Sequence, residues 1–183
     1  MEELIKRCQK NDRNAQSVLF SKYKDSLYLL SLKYCRNKAD AQDNLHDAFM
    51  TIFEKIKAYK GTGSFEGWMK RITINKAIDR YKNQKEFPLE TINNNGEDTT
   101  IDSNFIDIPL DVLLRFVQEL PDQYRLVFNL YQLDNYSHKE ISKILGISEN
   151  TSKSNYHRAK LQLKQKVIDF RKEVYPNLNL YET

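Results

Sequence analysis

Residues 136–167 read YSHKEISKILGISENTSKSNYHRAKLQLKQKV, and this stretch decides the fold of the C-terminal half. Ser137 and Glu140 have the spacing of a capping box, in which the hydroxyl takes a first-turn N–H and the carboxylate reaches back. Ile141, Ile144 and Leu145 then share one face of a short helix. Gly146 follows where a residue with positive φ ends such a helix. Ile147 is placed to plug the core between two helices, and Ser148 is an N-cap for the next one. Tyr156, Ala159, Leu163 and Val167 continue an apolar stripe along that second helix, and small Ala159 permits a close crossing. Cap, helix, Gly, Ile, cap and basic helix in this order predict a helix-turn-helix.

The face opposite the stripe is expected to present Asn150, Thr151, Lys153, Asn155 and Arg158, then Lys160 and Lys164. With Ser148 at its start, this is the mixture that a DNA-reading helix needs. Short polar side chains at the N-terminal end reach base edges, and Lys and Arg neutralise phosphates. Residues 153–172 hold seven basic residues against Asp169 alone. The bland alternative is a helical hairpin with a solvated basic face.

Working outward, the chain predicts an all-α protein of two small helical domains. Only five Gly and four Pro occur in 183 residues, which favours long helices over turn-rich β structure. Residues 84–107 hold Pro, Asn-Gly, Asp and Thr without helical period, and are expected to be a flexible acidic linker. This separates a first domain at 1–83 from a second at 108–172, with a tail at 173–183. The net charge is +7 over 1–83, −5 over 84–107 and +2 over 108–183, so two basic domains flank an acidic strip and suggest an anionic partner. In the first domain, helices are expected over residues 2–9, 12–35, 39–58 and 65–82. The second of these buries Ala15, Val18, Leu19, Leu27, Leu30 and Tyr34. The third has a stripe of Leu45, Ala48, Phe49, Ile52, Phe53 and Ile56, and a polar face of Gln42, Asp43, His46, Asp47, Thr51 and Glu54. In the second domain one helix starts after Pro109. Another starts after Pro121 and buries Tyr124, Val127, Phe128 and Tyr131.

Taken together, the two halves resemble the sigma factors of the extracytoplasmic-function type, bacterial promoter-recognition subunits of RNA polymerase. The resemblance rests on ADAQDNLHDAFMTIFEKI, KGTGSF and FEGWMKRITINKAIDRYK in the first half. In the second it rests on LPDQYRLVFNLYQLDNYSHKEISKILGIS and NTSKSNYHRAK. It covers roughly residues 5–82 and 112–168. It implies that Gln42, Asp43, His46 and Asp47 dock on core RNA polymerase. It implies that Lys60, Thr62, Ser64, Phe65, Lys70, Arg71, Asn75 and Lys76 open promoter DNA at the minus-ten element and capture an extruded base. Ser148, Asn150, Thr151, Lys153, Asn155, Arg158 and Lys160 would read the minus-thirty-five element. An anti-sigma partner belongs to the same implication. The chain departs from the family pattern at Asn44 and His46, where Leu and Gln are common. It departs again at Asn150 and Ser152, where the helix commonly begins Gly-Thr-Val, and at Asn155, where Arg is frequent.

Other classes fit less well. No apolar run is long enough to span a membrane, and MEELIKRCQKND lacks the core of a signal peptide, so a cytoplasmic protein without membrane insertion is expected. Cys8 and Cys35 are read as reduced core thiols. His46-Asp47 lacks the further ligands that a metal site needs, so no metal, cofactor or catalytic site is expected. The main alternative is a stand-alone helix-turn-helix regulator that dimerises through its first domain.

Overall fold

The structure, a computed structural model, describes residues 1–83 and 108–174. The expected linker at 84–107 and residues 175–183 of the expected tail lie outside the described residues. The chain divides into two compact units.

The first unit contains α1 (Glu2–Gln9), α2 (Arg13–Tyr34), α3 (Lys38–Lys55) and α4 (Phe65–Asn83). Asp12 starts α2 by accepting the amides of Asn14 and Ala15 at 2.9 and 3.1 Å. Those amides, with the Arg7 guanidinium beside them, hold its carboxyl below the usual range. Asn37 starts α3 by accepting the amide of Asp40 at 2.8 Å. The last turn of α3 tightens into a 3₁₀ turn at Ile56–Ala58. α2, α3 and α4 pack on one another, and Leu19, Leu27, Ile52, Ile56 and Met69 are fully enclosed. Cys8 and Cys35 are buried in this core and are not joined in a disulfide.

Two positions differ from the expected stripes. Val18 is 55 % exposed and Thr51 only 7 %. The buried stripe of α2 runs through Ala15, Leu19, Leu27, Leu30, Ser31 and Tyr34, which leaves Val18 turned to solvent. In α3, Asn44, Ala48 and Thr51 recur at helical spacing beside Leu45 and Ile52, so the core side holds two polar residues. Asn44 is satisfied in part. Its Nδ2 donates to Ser31 Oγ on α2 at 3.0 Å and to the Thr73 carbonyl on α4 at 3.2 Å. Its Oδ1 has no partner. One amide thereby joins all three core helices.

The second unit contains α5 (Leu110–Gln118), α6 (Asp122–Phe128), α7 (His138–Leu145) and α8 (Glu149–Val174). Pro109 and Pro121 precede α5 and α6, where a missing donor costs nothing. Arg125, 3 % exposed, stitches the corner between them. It donates to the carbonyls of Gln118 and Leu120 at 3.2 and 2.9 Å and pairs with Asp122. α6 runs into a π turn at Asn129–Leu133 that its sequence does not announce. This wider turn puts Asn129 and Leu130 inside and leaves Tyr131, expected in the core, 38 % exposed. α8 continues past the expected boundary at 172. Before that boundary, Val167 packs with Ile108 and Phe116, flanked by Leu163 and Phe170.

Around α7 the sequence expectation holds in detail. The Glu140 amide donates to Ser137 Oγ, and the Glu140 carboxylate accepts the Ser137 amide at 2.9 Å. Gly146 sits at φ 71°, ψ 34°, and the amides of Gly146 and Ile147 both donate to the Ser142 carbonyl. A Cβ at Gly146 would meet nothing within 4 Å. The cost of a side chain there is therefore conformational rather than steric. Gly146→Ala should lower the stability of the second unit by about 1–2 kcal/mol. Hydrogen exchange of the α7 amides checks this directly, whereas fluorescence of Trp68, which lies in the first unit, should not change.

Candidate nucleic-acid interface

The second unit presents α8 by its N-terminal turns. Ser148 Oγ accepts the Thr151 amide at 2.9 Å and lies 2.8 Å from Thr151 Oγ1, so its hydroxyl is engaged in starting the helix. Asn150 and Lys153 are exposed, and Thr151, Arg158 and Lys160 are half-buried. Arg158 donates to Tyr124 Oη at 3.2 Å, and Lys160 Nζ lies 5.5 Å from the Tyr156 ring centre. Asn155 corrects the sequence reading. It is 3 % exposed and donates to Gln123 Oε1 at 3.0 Å, so it braces α8 on α6 rather than facing outward. A single sequence carries no signal for that partner, because Gln123 lies 32 residues away.

Ser152 is enclosed as well, where the resemblance led one to expect an apolar side chain. Its hydroxyl lies 2.9 Å from His138 Nδ1 at the first position of α7. The His138 ring stacks on Tyr131, with centres 4.2 Å apart and planes at 12°. Burial, then the nearby Lys153, pushes the imidazole below its ordinary value, against a smaller opposing effect of Glu149. A hydrogen bond between α7 and α8 thus takes the place of an apolar contact.

In the first unit, Lys60, Thr62, Ser64, Lys70, Arg71 and Asn75 are exposed, and Lys76 is half-buried. They lie along the loop before α4 and on α4 itself. Gly61 and Gly63 adopt φ 75° and 80°, which gives the loop a path that few other residues allow. Tyr59 Oη donates to the Gly63 carbonyl at 2.8 Å and pins the loop. Ser64 Oγ accepts the Gly67 amide, and Lys70 pairs with Glu66 at 2.7 Å. Phe65 is 7 % exposed, stacked on Trp68 and edge-on to Tyr59 and Tyr23. Its ring is a wall beneath the loop, not a surface offered to a base. Trp68 is only half-buried, so it is the ring of this cluster with area left to offer.

The polar face of α3 presents Gln42, Asp43, His46 and Asp47, all exposed. Sequence reasoning passed over their neighbour Arg80 of α4, which reaches Asp47 at 2.9 Å and Asp43 at 3.4 Å. Two carboxylates four residues apart on one helix face repel each other. That was the available signal for a cation, but not for which one. Among the described residues, no group of three or more His, Cys, Asp or Glu is arranged to hold a metal ion. No described helix is long and apolar enough to cross a membrane.

Residues 19–87 match the family described as Sigma-70 region 2, and residues 110–163 match Sigma-70, region 4. The chain is 29 % identical over 178 residues to the ECF RNA polymerase sigma factor SigW of Bacillus subtilis, covering 90 % of this chain and 95 % of that protein. It is 26 % identical over 178 residues to the ECF RNA polymerase sigma-E factor of Escherichia coli K12, covering 90 % and 92 %. Its fold is similar to that of the sigma factor RpoE from Bartonella quintana, solved with the anti-sigma factor NepR. There the TM-score is 0.51 at 15 % identity, over 82 % of this chain and 95 % of that one.

The His138 environment sets a pH dependence. The folded unit holds the imidazole neutral below its ordinary pKa, while the unfolded chain takes up a proton near pH ~6.5. The unfolded state then binds more protons, so stability of the second unit should fall as pH drops from 7.5 to 5.5. His138→Gln should flatten this dependence in urea titrations followed by circular dichroism. An unaltered slope would remove His138 as its source.

Proposed function

Because this chain belongs to the extracytoplasmic-function group of the sigma-70 family and is an alternative sigma factor for transcription initiation, we propose that its two units divide the work of promoter use. In this reading residues 1–83 seat the chain on core RNA polymerase and open the minus-ten element. Residues 108–172 read the minus-thirty-five element as duplex. Residues 84–107 link them. Sigma factors are generally non-enzymatic initiation factors, and on this reading the chain has no chemistry of its own. It works in the cytoplasm with promoter DNA and core polymerase. An anti-sigma factor is the third partner.

The observation that carries the proposal is the coexistence of three separate surfaces. The exposed α3 face holds Gln42, Asp43, His46 and Asp47. The pinned Gly-rich loop leads into a helix with Lys70, Arg71 and Asn75 on its outside. The α8 N-terminus exposes Asn150 and Lys153 beside Thr151, Arg158 and Lys160. A dimeric regulator needs only the last of these. Asn75 stands where an amide meets the edge of an unpaired base, and the cations around it hold phosphates. Extruding a base costs a few kcal/mol of stacking, so a pocket must offset it. Phe65 supports the loop before α4 from beneath, and Asn155 fixes the α8 register rather than touching DNA.

The test is in vitro transcription with core polymerase on fragments of the genome, including the DNA upstream of its own gene. Defined start sites that appear only with this chain support the proposal, and none on any fragment rejects it. Within that assay, Lys153→Ala should reduce the slope of log affinity against log salt by about one. Asn75→Ala should impair opening more than initial duplex binding. Equal loss in both steps would exclude base capture.

A further inference from the structure

The ion pair between Arg80 and the α3 carboxylates contributes little to stability. The Asp43 and Asp47 side chains are 66 % and 57 % exposed, and pairs that face water stabilise a fold only weakly. Its geometry is more telling. Arg80, 28 % exposed, spreads its two terminal nitrogens over two carboxylates one helical turn apart. Burial works against its charge, and the two carboxylates more than offset this, so its pKa is raised. Each carboxylate keeps its outer side open, so both remain able to meet a partner's cation. α3 carries these carboxylates, and α4 carries Asn75, Lys76 and Arg80 within two turns of one another. Deeper along the same seam, Asn44 of α3 donates to the Thr73 carbonyl of α4. The face that meets protein and the helix that meets DNA are thus bolted at two places by polar contacts.

We propose that Arg80 is a positioning residue that ties the Asp43–Asp47 face to α4, so that seating a cationic polymerase surface on those carboxylates also fixes the DNA-opening helix. This rests on the reading of α3 as the polymerase face. When a partner's cation shares the carboxylates, they stay in place, and Arg80 and the last turns of α4 stay with them. Without Arg80, the two carboxylates repel each other and α4 loses this tie to the outer face of α3.

The experiment uses full-length chain with core polymerase on a promoter found by transcription. Open complex is read by permanganate reactivity of unpaired thymines at saturating sigma, and core affinity is measured separately. Arg80→Ala should lower opening about fivefold at saturation. In that background Asp47→Asn should weaken core binding as it does in the wild type, yet cause no further loss of opening. Arg80→Lys keeps the charge and one of the two contacts, so it should recover opening in part. It also provides the test if the Ala variant loses its helical signal. Wild-type opening in Arg80→Ala or Arg80→Lys overturns the proposal, as do additive effects of Arg80→Ala and Asp47→Asn on opening. Wild-type chain that never joins core polymerase overturns the reading beneath it, a failure distinct from the others because no variant is needed to see it.

Discussion

The turn between α7 and α8 redirects the chain in three residues, Gly146, Ile147 and Ser148, and most of the second unit depends on how it does so. Gly146 takes a left-handed conformation that stops α7, and the Ser148 hydroxyl takes the Thr151 amide and starts α8. With both ends fixed, the angle between the helices is set before any nucleic acid arrives. Ser152 then meets His138, and Asn155 meets Gln123. These inward contacts decide which residues remain outside. Asn150 and Lys153 are exposed because Ser152 and Asn155 are not. A helix held this way loses little freedom on binding, so less of the binding energy goes into ordering it.

The first unit solves a related problem with a different device. α3 and α4 must carry two surfaces of different chemistry on one small core. Leu45, Phe49 and Ile52 supply packing, but apolar contacts are tolerant of small slips between helices. Asn44 is not tolerant, since its amide must meet both Ser31 and the Thr73 carbonyl. The aromatic wall of Tyr59, Phe65 and Trp68 plays a comparable part at the loop, where it supports the backbone that Gly61 and Gly63 shape.

Local signals in the sequence foretold local structure. The capping box at Ser137 and Glu140, the stop at Gly146, the Ser148 cap and the prolines before α5 and α6 all act within a few residues, so one chain is enough to read them. Partnerships across helices were opaque. Asn155 falls on the polar side of its helix by composition, and only the distant Gln123 draws it inward. Thr51 reads as polar surface but is small enough to share the stripe of Ala48. Tyr131 was expected inside, and the π turn that rotates it outward has no sequence punctuation. Arg80 was overlooked because the repulsion between Asp43 and Asp47 asks for a cation without saying which. The resemblance pointed to three surfaces, and the structure shows that Phe65 and Asn155, expected on two of them, are buried.

The account rests on one unit gripping the transcription machine while the other addresses duplex DNA, and stoichiometry tests this most directly. Light scattering behind gel filtration should find the chain monomeric alone and in a one-to-one complex with core polymerase. Asp43→Asn combined with Asp47→Asn should weaken that complex while leaving the monomer intact. A symmetric dimer that ignores core polymerase would contradict the account.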